Sequence, residues 1–129
     1  MSNISCVLLY NMKDPVISKK IKFVLIRMGV RIKNIEIKDY LQPIGAMAGI
    51  AGIEKNDKIY EGPELDESMM VMYGFTERQL DDMLARFRKE KIPRVNLKAV
   101  VTASNREWDA VSLYEELKRE HEKMSGEMR

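Results

Sequence analysis

Two short stretches of the chain are continuously apolar, about Ser5 to Tyr10 and Ser68 to Tyr73. A strand buried on both faces reads this way, so both predict central strands of a sheet. A third stretch, about Arg31 to Lys38, alternates Ile35 and Ile37 with charged neighbours and predicts an edge strand with one wet face. A fourth strand is expected at about Val95 to Val101.

Helical patterns fall between these strands. Asp14-Pro15 opens the first, because Asp caps free amides and Pro is pre-set for the first helical position. Ile17, Ile21, Val24, Leu25 and Met28 follow at helical spacing, and Gly29 supplies a stop. Thr76-Glu77-Arg78-Gln79 has the form of a capping box, with Leu80, Met83, Leu84 and Phe87 as the apolar stripe behind it and Ile92-Pro93 as the end. Asp109 caps a last helix whose inward positions are Val111, Leu113, Tyr114 and Leu117. Ile44 to Ile53 is apolar and built of small residues, which suits a short helix in close contact with a neighbouring backbone.

The predicted order is strand, helix, strand, short helix or coil, strand, helix, strand, helix. Such alternation indicates an α/β domain. The favoured architecture is a four-stranded, mostly parallel sheet in the order 2-1-3-4 with helices on both faces. The alternative is a ferredoxin-like α/β sandwich with antiparallel strands and helices on one face. The connection between the second and third strands spans roughly thirty residues. It is too long for a hairpin and long enough for a crossover, which favours the parallel arrangement.

Length and composition narrow the class. The chain has 129 residues, 45% of them hydrophobic and 33% charged, which is one globular domain's worth, residues 1–129, with a frayed tail expected from about Ser125. No apolar run is long enough to span a membrane. A lone cysteine, Cys6, excludes an intrachain disulfide, and the N-terminus lacks a signal-peptide pattern, so a reducing cytoplasm is the expected compartment.

Net charge is only +2, which argues against a dedicated nucleic-acid binder. The charges are unevenly placed. From Lys13 to Lys38 eight basic residues face only Asp14 and Glu36, whereas from Glu54 to Glu67 six acidic residues face only Lys55 and Lys58. These are either ordinary solvated faces or, for the basic stretch, a face that meets an anion or an acidic partner.

The C-terminal half carries a more specific signal. Leu97-Lys98-Ala99-Val100-Val101-Thr102 is followed by Asn105, Trp108, Leu113, Glu116-Leu117 and Glu120-His121, with Gly74-Phe75 and the Met-rich strand upstream. From Ser68 onward, over about sixty residues, this resembles a bacterial family called domain of unknown function 3783. The resemblance implies a bacterial cytoplasmic setting and lends no catalytic residues.

In a parallel sheet, ligands bind beyond the carboxyl ends of the strands. That rule nominates Asn11 and Lys13 after the first strand and Asp39 and Tyr40 after the second. Thr76 follows the third, and Thr102 and Asn105 follow the fourth, with Lys98 inside it. Helix capping and turn formation explain the same residue types without a ligand, and Lys98 equally suits a guarded sheet edge. One histidine and one cysteine cannot build a usual zinc site, and there is no Gly-rich phosphate loop, so no metal or cofactor is assigned. The functional expectation is a non-catalytic binding or protein-interaction domain, with an unknown protein partner or self-association as a possible homodimer. The small-residue segment Gly45 to Gly52 or an exposed edge strand would serve for self-association. The alternative is a small-molecule or phosphate-binding enzyme using the polar strand-end residues.

Overall fold

The computed structural model describes residues 5–127, with side chains described up to residue 124. The elements are β1 (Cys6–Tyr10), α1 (Pro15–Arg27), β2 (Arg31–Ile35), a 3-10 turn (Ile37–Asp39), α2 (Ile44–Ala48), β3 (Met69–Tyr73), α3 (Glu77–Lys89), β4 (Leu97–Val100) and α4 (Ala110–Glu127). The tail expected to fray from about Ser125 lies at and beyond the end of the described side chains.

Local signals start the helices as their residue types require. Asp14 Oδ1 accepts from the amides of Val16 (2.9 Å) and Ile17 (3.3 Å), with Pro15 behind it. Thr76 Oγ1 accepts from Gln79 N at 3.1 Å. Asp109 Oδ1 accepts from Ser112 N at 2.7 Å. Gly29 sits at φ 75°, the left-handed conformation in which a helix ends.

The sheet order is β2-β1-β3-β4, with the two continuously apolar strands in the centre and α1 and α3 on the face opposite α2 and α4. Cys6, Leu8 and Tyr10 point one way, onto Ile44, Met47, Leu113 and Tyr114. Val7 and Leu9 point the other way, onto Ile21, Leu25, Met83 and Phe87. Each fully buried apolar side chain in these two layers contributes roughly 1.5–3 kcal/mol.

Two of the three strand pairs are parallel, β1 with β2 and β3 with β4. The central pair, β1 with β3, is antiparallel. The sheet is therefore mixed. The long β2–β3 connection leaves and re-enters the sheet at the same end instead of crossing over. Its length goes into α2 and an extended acidic segment that covers the α2–α4 face, where Leu65 is buried and Tyr60 half-buried.

The antiparallel centre gives the chain a pseudo-two-fold form. The unit β1-α1-β2 is matched by β3-α3-β4, and each helix has 13 residues. Both helices lie on the same face and end alike. Gly29 N and Val30 N bond back to Ile26 O and Leu25 O, and Lys91 N and Ile92 N bond back to Arg88 O and Phe87 O. Lys91 holds φ 58°, the counterpart of Gly29. After each unit the chain crosses to the other face and starts a helix. There Pro43 and Asp109, the residues before α2 and α4, form an isolated antiparallel bridge.

The small-residue segment behaves as its composition indicates. A Cβ on Gly45 would lie 2.8 Å from Arg106 O, so only glycine permits this approach of two backbones. Gly45 N donates to that same oxygen at 2.7 Å.

Candidate functional site

The antiparallel centre divides the strand-end residues between two ends of the sheet. Asn11, Lys13, Asp39 and Tyr40 follow β1 and β2 at one end. Thr76, Thr102 and Asn105 follow β3 and β4 at the other. Five-residue strands rising about 3.3 Å per residue separate the two groups by roughly 15 Å. They do not open into a single concavity.

At the first end the polar groups hold the chain together. Asn11, at φ 56°, donates from Nδ2 to Leu65 O (2.6 Å), and its carbonyl accepts from Ser68 Oγ (2.5 Å). Lys13 Nζ donates to Asp66 O at 3.0 Å. These bonds fasten the 65–68 segment onto the β1–α1 turn. Tyr40 is fully buried and donates from its hydroxyl to Glu64 Oε1 at 2.6 Å. The same oxygen accepts from Leu65 N at 2.8 Å. Burial, and then the bond to Glu64, push the Tyr40 hydroxyl above its ordinary pKa. Asp39 is half-buried in the 3-10 turn.

At the second end the residues build turns. Asn105 Oδ1 accepts from Thr102 N (2.9 Å) and its Nδ2 donates to Val100 O (3.2 Å). Thr102 Oγ1 accepts from Ser104 N and Asn105 N. Thr76 caps α3.

Three tyrosines pack together, with tilted rings, on the α2–α4 face. The Tyr10 and Tyr40 rings are 5.7 Å apart, and those of Tyr40 and Tyr60 are 5.6 Å apart. Tyr10 Oη is buried without a hydrogen-bond partner, and burial raises its pKa well above the ordinary value. Cys6 is fully buried, and the same cause raises its thiol pKa, which leaves it poorly suited to be a nucleophile.

Two surfaces stand out from these structural bonds. The first is the outer face of α1. Val16, Phe23 and Ile26 are 62%, 60% and 66% exposed. At 100° per residue they share one side of the helix with Lys19 and Arg27, flanked by Lys20 and Lys22. The helix has no acidic residue. Arg27 Cζ stands 5.7 Å from the Phe23 ring centroid, which holds the exposed ring under a cation. Phe23 and Ile26 were visible in the sequence as extra apolar positions; an apolar count that runs round the helix was the signal that some of them face outward.

The second surface is a groove of about 500 Å³ between α3 and β4, floored by Phe87, Ile92 and Val95. Lys98 reaches its rim from the edge strand, half-buried, with Nζ donating to Val95 O. Of the other strand-end candidates, Lys13 lines hollows beside α1 with Met12, Phe23 and Ile26, and Asn11 and Tyr40 share a shallow hollow beside the 3-10 turn. The helical part of the small-residue segment, by contrast, is mostly inside the fold, with Ile44, Gly45, Met47 and Ala48 buried. That part is used in intramolecular packing.

Fold and surfaces together define a small α/β domain made of two β-α-β-α units around an antiparallel centre. Residues 68–124, which make up the second unit and most of α4, match the model of a domain of unknown function, DUF3783. No curated protein and no solved structure matches the chain. No helix among the described residues is long and apolar enough to cross a membrane, and no cluster of three or more His, Cys, Asp or Glu able to hold a metal occurs among them.

Proposed function

We propose that this protein is a non-catalytic interaction domain that docks an acidic protein partner on the outer face of α1. The observation that carries the reading is the stripe of Val16, Phe23 and Ile26, each more than half exposed and interleaved with cations on a helix without a single acid. A helix packed on one face alone needs no apolar residues on the other. Exposed apolar positions in a cluster mark contact sites. The surrounding Lys19, Lys20, Lys22 and Arg27 select an acidic occupant and speed its encounter. A protein suits the stripe better than a nucleic acid does, because phosphate contacts would leave Val16 and Ile26 without a role.

The test is a photo-crosslinking amino acid placed at Phe23 in living cells. The expected result is a protein adduct whose attached segment is acidic, abolished by Lys19→Glu with Lys20→Glu. Adducts only with nucleic acid or lipid, or a protein adduct that survives the charge reversal, would overturn the reading.

A further inference from the structure

The two β-α-β units provide an internal control for each other. In the first, Val30 closes the end of α1 and Arg31 begins β2 at once. In the second, Ile92 makes the equivalent bond to Phe87 O, yet β4 begins only at Leu97. Pro93, Arg94, Val95 and Asn96 are thus an insertion that the same connection does without in the first unit. Closing the β-α-β turn does not require them.

The insertion forms one wall of the groove between α3 and β4. Inside, the surface is apolar: Leu84, Phe87, Ile92 and Val95. Around it stand Arg88, Arg94 and Lys98, and no acidic side chain lines the groove. Among the described residues none of these three cations is in an ion pair; the four pairs present use other basic residues. Lys98 is held partly out of water, and that desolvation, followed by repulsion from Arg94, lowers its ammonium pKa. Apolar walls ringed by uncompensated positive charge complement an apolar chain or ring that ends in an anionic group, and a single carboxylate matches so small a cluster of cations.

We infer that the groove between α3 and β4 binds a small amphipathic carboxylate, its apolar body lying on Leu84, Phe87 and Val95 and its carboxylate meeting Arg94, Lys98 and Arg88. A groove of about 500 Å³ is of the size that receives small ligands. None of its lining residues belongs to α1, so the site stands apart from the docking face proposed above. Success or failure of one says nothing about the other.

Titration of the isotope-labelled full chain with decanoate, followed by amide resonances, tests the inference in the absence of any protein partner. Saturable shifts are expected at Leu84, Phe87, Val95 and Lys98. Decanol, which lacks the charge, and acetate, which lacks the chain, should each bind about tenfold or more weakly, since a charge-assisted hydrogen bond, or the burial of about two methylenes, is worth about a tenfold change in affinity. Arg94→Gln with Lys98→Met should remove most of the preference for decanoate over decanol, the remainder resting on Arg88, while leaving decanol binding largely unchanged. Arg88→Gln, at an exposed position, gives a milder loss and serves if the double variant does not fold. Equal affinity for decanol and decanoate, shifts centred elsewhere, or no saturation with decanoate overturns the inference.

Discussion

Leu8 lies opposite Val71 at the midpoint of the antiparallel ladder that joins the two halves of the sheet. The register is symmetric about this pair, and on the α2–α4 face the residues before the two corresponding helices, Pro43 and Asp109, form an antiparallel bridge of their own. That symmetry relates every element of the first unit to one in the second. It makes corresponding residues comparable within one molecule.

The clearest comparison is Gly29 with Lys91. Both end a 13-residue helix in the left-handed region, but only Gly29 does so without a side-chain penalty. Lys91→Gly is expected to stabilise the protein by about 0.5–1 kcal/mol, and Gly29→Ala to destabilise it by about 1 kcal/mol or more. Urea unfolding midpoints at constant slope check both.

Gly45 and Gly52 separate steric from conformational demands. Gly45→Ala would drive a methyl to 2.8 Å from Arg106 O, while at Gly52 a Cβ meets nothing within 4 Å but the backbone is at φ 88°. Overpacking of a rigid backbone contact is expected to cost about 1–3 kcal/mol at Gly45, against about 1 kcal/mol of backbone strain at Gly52. If Gly45→Ala is neutral, the close approach of α2 to the turn before α4 is not what holds that face.

The buried tyrosines predict opposite effects from one substitution. Tyr10→Phe removes a hydroxyl that has no partner and is expected to be neutral or stabilising. Tyr40→Phe removes the 2.6 Å bond to Glu64 and is expected to cost about 1–3 kcal/mol. Chemical denaturation of the two variants beside the parent protein distinguishes them.

The same hydroxyls set a limit at alkaline pH. Tyr10 and Tyr40 are raised from an ordinary value of 10.0, and Cys6 from 9.0. Each is a group that the folded state holds protonated more firmly than the unfolded state does. Their contribution is therefore fully present below about pH 9, and stability falls as pH rises beyond the unfolded values. Unfolding midpoints should be flat with respect to these groups from pH 7 to 8.5 and fall steeply above pH 10. The fall should be shallower in Tyr10→Phe with Tyr40→Phe.

Many of the polar residues singled out in the sequence, as caps or as strand-end candidates, make structural hydrogen bonds. Asp14, Thr76 and Asp109 cap helices, Asn105 and Thr102 shape a turn, and Asn11 and Lys13 fasten the 65–68 segment. Capping and turn roles were legible because they depend on neighbours in sequence. The clamp was not, since its partner lies more than fifty residues away. Lys98 was legible as a lysine on a guarded edge, but its groove depends on Phe87, Arg88 and the insertion meeting in space.

The sequence by itself determined the order of the main strands and helices, the caps of α1, α3 and α4 and which two strands are central, because burial on both faces demands an unbroken apolar run and capping acts within a single turn; it did not mark the end of β2 at Ile35, since Ile37, read as part of that strand, begins a 3-10 turn. It could not determine the direction of β3 against β1. A run such as Met69 to Tyr73 is apolar read either way, and its side chains alternate between the faces in both directions. That direction is fixed only in the tertiary structure, where β1 and β3 pair antiparallel and the β2–β3 connection packs as a layer on the α2–α4 face. With it the tertiary structure also decided that the strand-end residues would part to opposite ends of the sheet.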